Sequence, residues 1–352
     1  MKIIHTSDLH LDSPLTTRLA SDKVRERKSE LLFSFRKNVQ AAKDNGVEGF
    51  IIAGDLFDSD KIGKRILKNV IDVIASAPDI TFFYLSGNHE RRVLSDSSEL
   101  LPENLKLFGE DWTYFKLGEV TIVGRSETCP DMFSTLDLNE DAVNILVLHG
   151  ELRDRSDYGG VIGKKDAETV PADYLALGHY HTYSATEISR RLLAVYSGTP
   201  EGRGFDEVGP CGYVSITVNG RTLSHRFTES AKRRLDIVEV DVTGEESDIS
   251  VMNKIERALS GISREDLVRI RLVGSHELGR TFDTEAMLSS LSSSYYYVEI
   301  KDESKVRISA DDFKNDISLK GEFIRGVLSD DSLSDGEKEA VINLGLGVLM
   351  EE

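Results

Sequence analysis

Gly49-Phe50-Ile51-Ile52-Ala53-Gly54-Asp55-Leu56-Phe57-Asp58 is the stretch on which the fold turns. The uncharged run Gly49–Ala53 predicts a buried strand, and the glycine after it lets the backbone turn sharply. Asp55 is thereby presented at the carboxyl end of a strand, where open α/β sheets bind their ligands. A carboxylate in that place can bridge two divalent cations. Aspartate is also common in turns for local hydrogen-bonding reasons, so its meaning depends on what accompanies it.

Upstream, Lys2–Thr6 reads as a short strand feeding the polar loop Ser7–Pro14. A helix is expected over about Lys23–Asn45, with Leu31, Leu32, Phe35, Val39 and Ala42 on one stripe and Gly46 as its stop. Downstream, a helix over about Lys61–Ala77 carries Ile66, Val70, Ile71 and Ile74, and Pro78 closes it. Thr81–Leu85 is a strand ending in Ser86-Gly87-Asn88-His89-Glu90. Strand, helix, strand, helix, strand is the order of a layered α/β domain. From Asn104 the pattern changes to short strands, including Val120–Val123, Asn144–Leu148, Tyr174–Leu177, Leu192–Tyr196, Gly212–Val218 and Thr222–Phe227. Glu229–Arg234 is charged and without apolar periodicity, so a domain boundary is expected there. Beyond it, strands Leu235–Val242, Val268–Val273 and Tyr295–Lys301 alternate with helices Asp248–Leu259 and Asp283–Leu291. Two helices, about Leu319–Leu328 and Asp335–Met350, end the chain.

Size and composition bound the function. A chain of 352 residues predicts two domains and a tail, with core enough to hold a polar site rigidly. A transmembrane helix needs about 20 apolar residues, and no run approaches that. The first residues open directly on a strand pattern, without signal-peptide architecture. Two cysteines, Cys129 and Cys211, argue against a disulfide framework, so a cytoplasmic protein is expected. The net charge of −18 argues against a nucleic-acid binder that works through a cationic face alone. Residues 302–352 carry 13 acidic against 6 basic side chains, so part of that charge is local. Bound divalent metals would supply the positive potential that a phosphate requires.

Five polar clusters fall at expected strand ends: Asp8/His10, Asp55, Asn88/His89, His149 and His179/His181. They hold five of the eight histidines. Each has an ordinary reading, a turn aspartate or a satisfied histidine. Gly87-Asn88-His89-Glu90 also fits a helix start with Asn88 as N-cap. Gly178-His179-Tyr180-His181 speaks most strongly alone, because alternate residues of an extended segment point the same way. That every cluster ends an apolar strand favours one shared site. Imidazole and carboxylate together suit Mn, Fe, Zn or Co better than calcium. Two such ions about 3.5–4 Å apart suit phosphoester hydrolysis. Asn88 fits as a neutral oxygen ligand, and His89 beside it as a proton donor.

Asp8-x-His10, Gly54-Asp55-x-x-Asp58, Gly87-Asn88-His89-Glu90, His149-Gly150 and Gly178-His179-x-His181 resemble, in order, the five motifs of calcineurin-like metallophosphoesterases. The resemblance covers about residues 1–230 and implies a four-layer αββα sandwich. It implies one metal on Asp8, His10, Asp55 and His181, a second on Asp55, Asn88, His149 and His179, and His89 as the catalytic histidine. Asp58 would support a ligand from behind. Manganese is the expected metal, with Fe, Zn, Co or Mg as alternatives.

His5-Thr6-Ser7-Asp8-Leu9-His10 and Tyr196–Pro200 followed by Gly202–Glu207 resemble the DNA-repair exonuclease branch, the nuclease subunits of SbcCD-type complexes. Leu11-Asp12-Ser13-Pro14 departs from that branch and resembles a bacterial subgroup of exonuclease-like proteins. The branch implies DNA as substrate, a homodimer, and a partner that is an SMC-like ATPase. It implies an α/β capping domain over residues 231–305 and a C-terminal helical tail over 306–352 that docks the ATPase. In that tail Val341, Leu344, Leu346, Val348 and Leu349 stand among acidic residues. Arg91, Arg92, Arg203, Lys232, Arg233 and Arg234 are the cations expected to meet phosphates. The rival expectations are a small-molecule or nucleotide phosphodiesterase or phosphatase, and a metal-containing scaffold subunit.

Overall fold

The computed structural model describes residues 1–350 apart from 16–18, 20, 91–92, 157, 278–279, 308–312 and 314. Arg91 and Arg92 therefore lie outside the described residues. The chain divides into two compact units, Met1–Leu235 and Asp236–Glu352.

In the first unit the order begins β1 (Lys2–Thr6), α1 (Ser21–Asp44), β2 (Gly49–Ala53), α2 (Lys64–Ala75), β3 (Thr81–Leu85). There follow β4 (Leu105–Leu107), β5 (Thr113–Leu117), β6 (Val120–Gly124), β7 (Val143–His149), β8 (Glu151–Arg153), β9 (Val161–Gly163) and α3 (Lys164–Ala167). It ends with β10 (Tyr174–Gly178), β11 (Ser184–Glu187), β12 (Leu193–Tyr196), β13 (Gly212–Asn219) and β14 (Thr222–Glu229). Two six-stranded sheets result, ordered β14-β13-β1-β2-β3-β4 and β11-β12-β10-β7-β6-β5.

The two sheets share an apolar interior, which explains the unbroken hydrophobic runs. In β2, Phe50 and Ile52 pack toward Leu31, Phe35 and Val39 of α1 and Val70 and Ile74 of α2. The alternate residues, Ile51 and Ala53, face Ile122, Ile145, Val147 and Ala176 of the other sheet. A parallel strand buried on both faces has no polar side to show. The outer face of the second sheet, with Leu146, Leu148, Leu175 and Leu177, is covered by Ile162, Ala167 of the one-turn helix α3, and Met132. The architecture is a mixed α/β sandwich whose fourth layer is thinner than its first.

Local signals act as expected. Gly46 takes a φ of +61° after α1, so its N–H reaches Lys43 O at 3.2 Å and that of Val47 reaches Ala42 O at 2.9 Å. α2 starts three residues later than expected, because Gly63 stays extended at ψ 130° before it.

In the second unit, β15 (Leu235–Asp241), β16 (Leu267–Val273) and β18 (Tyr297–Asp302) form one sheet in that order. β17 (Ser275–Glu277) pairs separately with β19 (Lys305–Arg307). Helices α4 (Asp248–Ala258) and α5 (Thr284–Ser292) bury Val251, Ile255, Met287 and Leu291 in the core of this unit. Ser247 and Asp283 cap their N-termini through side-chain oxygens. α6 (Leu319–Leu328) and α7 (Asp335–Met350) meet around Phe313, Ile324 and Ile342. Val341 and Leu344 of α7 are exposed, and the side chains of Leu346, Val348 and Leu349 lie outside the described ones.

Candidate metal centre

β1, β2 and β3 run parallel, as do β7 and β10, so the loops that leave their carboxyl ends gather at one edge of the sandwich. Two loops are stitched together by backbone: Asp8 N to Gly54 O, His10 N to Asp55 O and Leu11 N to Leu56 O, each 3.0 Å. Among the described residues six non-glycines have positive φ, and four of them are Asp8 (53°), His10 (44°), Asp55 (49°) and His179 (110°). Left-handed backbone is strained for such residues and persists only where surroundings enforce it, typically at functional sites. Space is equally tight. A Cβ on Gly54 would stand 2.1 Å from His149 Nδ1, and one on Gly87 only 1.9 Å from Asp55 Oδ1. Glycine is required at both.

Asp55 is the centre of the arrangement. Its Oδ2 lies 3.3 Å from His149 Nε2 and 3.8 Å from His10 Nε2, between two groups of ligand-type side chains. On one side Asp8, His10 and His181 bring a potential ligand atom each within 4.8 Å of one another, and on the other Asp8, Asp55 and His149 do so. Asn88 Oδ1 is 2.9 Å from His149 Nε2. His179 stands beside these groups: its ring centroid is 5.5 Å from that of His149, and its backbone N–H donates to the Asp8 carboxylate at 3.0 Å. Asn88 caps no helix; Ser86–Glu90 is irregular, which removes the helix-start reading.

Outer partners fix the imidazoles. His149 Nδ1 lies 2.9 Å from Ala53 O and donates to it, which turns Nε2 toward Asp55. His10 Nδ1 is 2.8 Å from Asp58 Oδ1, and His181 Nδ1 is 2.7 Å from Glu207 Oε1. A carboxylate or carbonyl behind each histidine is how ligating imidazoles are usually held. Arg203 joins the same group, its guanidinium 3.4 Å from Asp58 Oδ1 and bonded to Glu207. His89 is more open, with 44% of its side chain exposed and Nδ1 3.7 Å from Asp58 Oδ1.

Burial and charge set the protonation. Burial pushes the Asp8 carboxyl up to about 6; His149 opposes this and the charge of Asp55 adds to it. Burial would lift Asp55 as well, but the hydrogen bond and charge of His149 bring it down to about 2. Burial resists a charge on His149, yet Asp55 carries it up to about 9. His10 is driven down to about 3 by burial, helped by Arg203, so its ring stays neutral and keeps a lone pair. A cation at His149 Nε2 competes with a proton there.

These residues fit a pair of divalent cations. His10 Nε2 is buried and has no hydrogen-bond partner, although an unpaired ring nitrogen is costly inside a protein. The surrounding atoms are carboxylate oxygens, imidazole nitrogens and one amide oxygen, a donor set suited to Mn, Fe, Zn or Co.

Residues 1–193 match the calcineurin-like phosphoesterase family. The chain belongs to that family. Members bind two divalent metals and hydrolyse phosphoesters. The DNA double-strand break repair protein Mre11 of Methanosarcina acetivorans is 26% identical over 260 residues, covering 70% of this chain and 41% of that protein. The metallophosphoesterase YhaO of Bacillus subtilis is 25% identical over 292 residues, 78% of this chain and 71% of that one. This chain thus spans less than half the length of the Methanosarcina relative. Among solved structures, TT1561 of Thermus thermophilus covers 64% of this chain and is itself covered to 98%, at 13% identity and a TM-score of 0.43.

Two carboxylates of this metallophosphoesterase escaped the sequence reading. Glu90, buried completely, accepts from Leu56 N at 2.7 Å, from Phe57 N and from Tyr84 Oη at 2.9 Å, and so clamps the turn that carries Asp55. The only signal was its place after Asn88-His89. Glu207 closes the Gly202–Glu207 segment, whose motif was visible while its contact with His181 was not. The expected phosphate-facing cations require correction. Arg233 is buried and bonded to Glu30, Lys232 Nζ is 2.6 Å from Glu30 Oε1, and Arg234 pairs with Glu229. Lys232 and Arg233 are engaged by the buried Glu30, and Arg234 by the exposed Glu229. Arg203 alone of the described set stands at the centre.

Proposed function

We propose that the chain is a dinuclear-metal phosphodiesterase that cuts DNA as a repair nuclease. The observation that carries the reading is the position of Asp55, one carboxylate oxygen facing both His10 and His149. Asp8, His10, Asp55 and His181 would hold one ion, and Asp55, Asn88, His149 and His179 the other. Two ions there, manganese in our reading, would supply Lewis acidity toward a phosphate oxygen and toward water. Asp58 and Glu207 keep the rings of His10 and His181 oriented. His89, half-exposed beside the site, donates a proton or hydrogen bond to the leaving oxygen. The relatives named as double-strand break repair proteins support DNA as the substrate. The same reading brings a homodimer, residues 231–305 as a capping domain, and residues 306–352 as the segment that docks an SMC-like ATPase. It sets the protein in the cytoplasm; among the described residues no helix is long and apolar enough to cross a membrane.

The test is degradation of linear single- and double-stranded DNA with Mn²⁺, using His89→Ala as control. Loss of DNA with wild type alone supports the nuclease; intact DNA beside cleavage of a small chromogenic diester rejects the DNA substrate and keeps the chemistry. One observation favours the nucleotide-phosphodiesterase reading as second. The cavity beside Asn88, His149 and His179 is rimmed by Glu110 and Glu127 and by no lysine or arginine among its described lining residues, which suits a substrate with few phosphates.

A further inference from the structure

Tyr180 lies between His179 and His181 and is 42% exposed. Its ring is held on two sides. It meets Tyr196 edge-on, with centroids 4.9 Å apart, and lies 5.4 Å from the ring of His179. Its hydroxyl donates to Glu151 Oε1 at 2.9 Å. Tyr196 is in turn tied down, donating to Gly150 O and accepting from Leu152 N, each at 2.8 Å. Glu151 Oε2 takes Arg153 Nη2 at 2.7 Å, and the Arg153 guanidinium sits 5.8 Å from the ring centroid of Tyr158, itself 53% exposed. A wall of two open aromatic rings joined by an arginine and a glutamate therefore begins at His179. The cavity of about 680 Å³ that contains Asn88, His149 and His179 is lined further by Gly150, Gly159 and Gly160, the residues that flank this wall in sequence.

A single exposed tyrosine is ordinary. Tyr180 differs in that its edge and hydroxyl are both fixed while it remains open, directly beside the candidate ligands. A preset aromatic face loses little freedom when a flat group settles on it. Nucleobases are such groups, and stacking on aromatic side chains is how unpaired nucleic acid is commonly held. A base inside a duplex is already stacked and cannot use it.

We propose that Tyr180 stacks the base next to the scissile phosphate, so that the substrate is a phosphodiester bearing an unstacked nucleotide. The inference rests on the phosphodiesterase reading above. Tyr180 then sets specificity, and the Arg153–Tyr158 pair extends the same surface.

The test compares two chromogenic diesters with the same leaving group, thymidine 5′-(p-nitrophenyl phosphate) and methyl p-nitrophenyl phosphate, with Mn²⁺. Wild type is expected to prefer the thymidine ester in kcat/KM by about tenfold, an effect within the range of one base stacked on one ring. Tyr180→Phe, which keeps the ring, retains the preference, whereas Tyr180→Leu brings the ratio of the two substrates to within about twofold of unity. Hydrolysis of both esters with a ratio that Tyr180→Leu leaves unchanged overturns the inference and spares the phosphodiesterase reading. Hydrolysis of neither by wild type overturns both. Inhibition of the chromogenic reaction separates the sources of the base. Tighter inhibition by oligo(dT) than by thymidine 5′-monophosphate supports a single-stranded DNA end, and the reverse order supports a small nucleotide. Inhibition by neither overturns the proposal.

Discussion

Replacing Arg27 by methionine tests how the first unit is locked together. Arg27 lies in α1 with 2% of its surface exposed. Its guanidinium bonds Glu30, Glu201 Oε1 at 2.8 Å and the carbonyl of Gly202. Glu201 also accepts from Ser34 Oγ at 2.7 Å and from Lys232 N at 2.6 Å, so one buried carboxylate ties α1 to two distant loops. Methionine keeps the length and most of the volume of the stem, so little of the effect comes from a cavity. The loss is that of one member of a buried ion pair, about 3–5 kcal/mol. For a unit of about this size, a Tm change of about 2–4 °C per kcal/mol gives a fall of about 6–20 °C. Urea unfolding followed by circular dichroism at 25 °C, with a thermal scan beside it, measures both. Adding Glu201→Gln removes the buried charge while leaving an oxygen for Ser34 and Lys232, and should restore about 2 kcal/mol or more. A loss below about 1 kcal/mol for Arg27→Met, the value of an exposed pair, would refute the reasoning.

Three further outcomes are expected. Glu30 is held below its ordinary value of 4.5: burial opposes this, but Lys232, Arg27 and Arg233 prevail. Its stabilisation is therefore complete above pH 4.5 and lost as pH falls through the depressed folded value; the gap in stability between wild type and Glu30→Gln should narrow from pH 7 to pH 3, and a gap that widens contradicts this. Gly87→Ala puts a carbon against Asp55 Oδ1 and N, and a displacement on that scale can cost about 100-fold in rate; Mn-dependent diester hydrolysis within threefold of wild type would show that the turn yields harmlessly. Burial, with the charge of Glu207, pushes the Cys211 thiol up to about 12, while Cys129 is half-buried; at pH 8 a thiol reagent should label one cysteine in the folded protein and both in guanidinium, and prompt labelling of both when folded would count against the burial of Cys211.

The centre was legible because its parts are local. Strand, glycine and aspartate at 49–55, and the paired histidines at 179 and 181, each state their geometry within a few residues. The left-handed backbone at Asp8 and His10 had no such marker, since non-glycine residues rarely adopt it. Glu90 and Glu207 were missed for a different reason. Each is an ordinary acidic residue in sequence, and its task is defined by partners, the Leu56 and Phe57 amides and the His181 ring, that only the folded chain brings near. Arg233 was misread because a run of cations looks alike whether it faces solvent or a buried glutamate. Polar β11, exposed along its whole length, carries no hydrophobic alternation by which to find it.

The antiparallel pairing of β1 with β13 also sets a timetable. His5 pairs with Val214, and Lys2 with Thr217, across more than two hundred residues. A ribosome adding about 5–20 residues per second takes about 10–40 s to cover that interval. Throughout it, the edge of β1 that will face β13 waits without its partner, although β2 emerges early enough to occupy the other edge. An unpaired strand edge invites foreign pairing. Lys2 at that edge, and the charged α1 made next, oppose such pairing until the last strands of the sheet arrive.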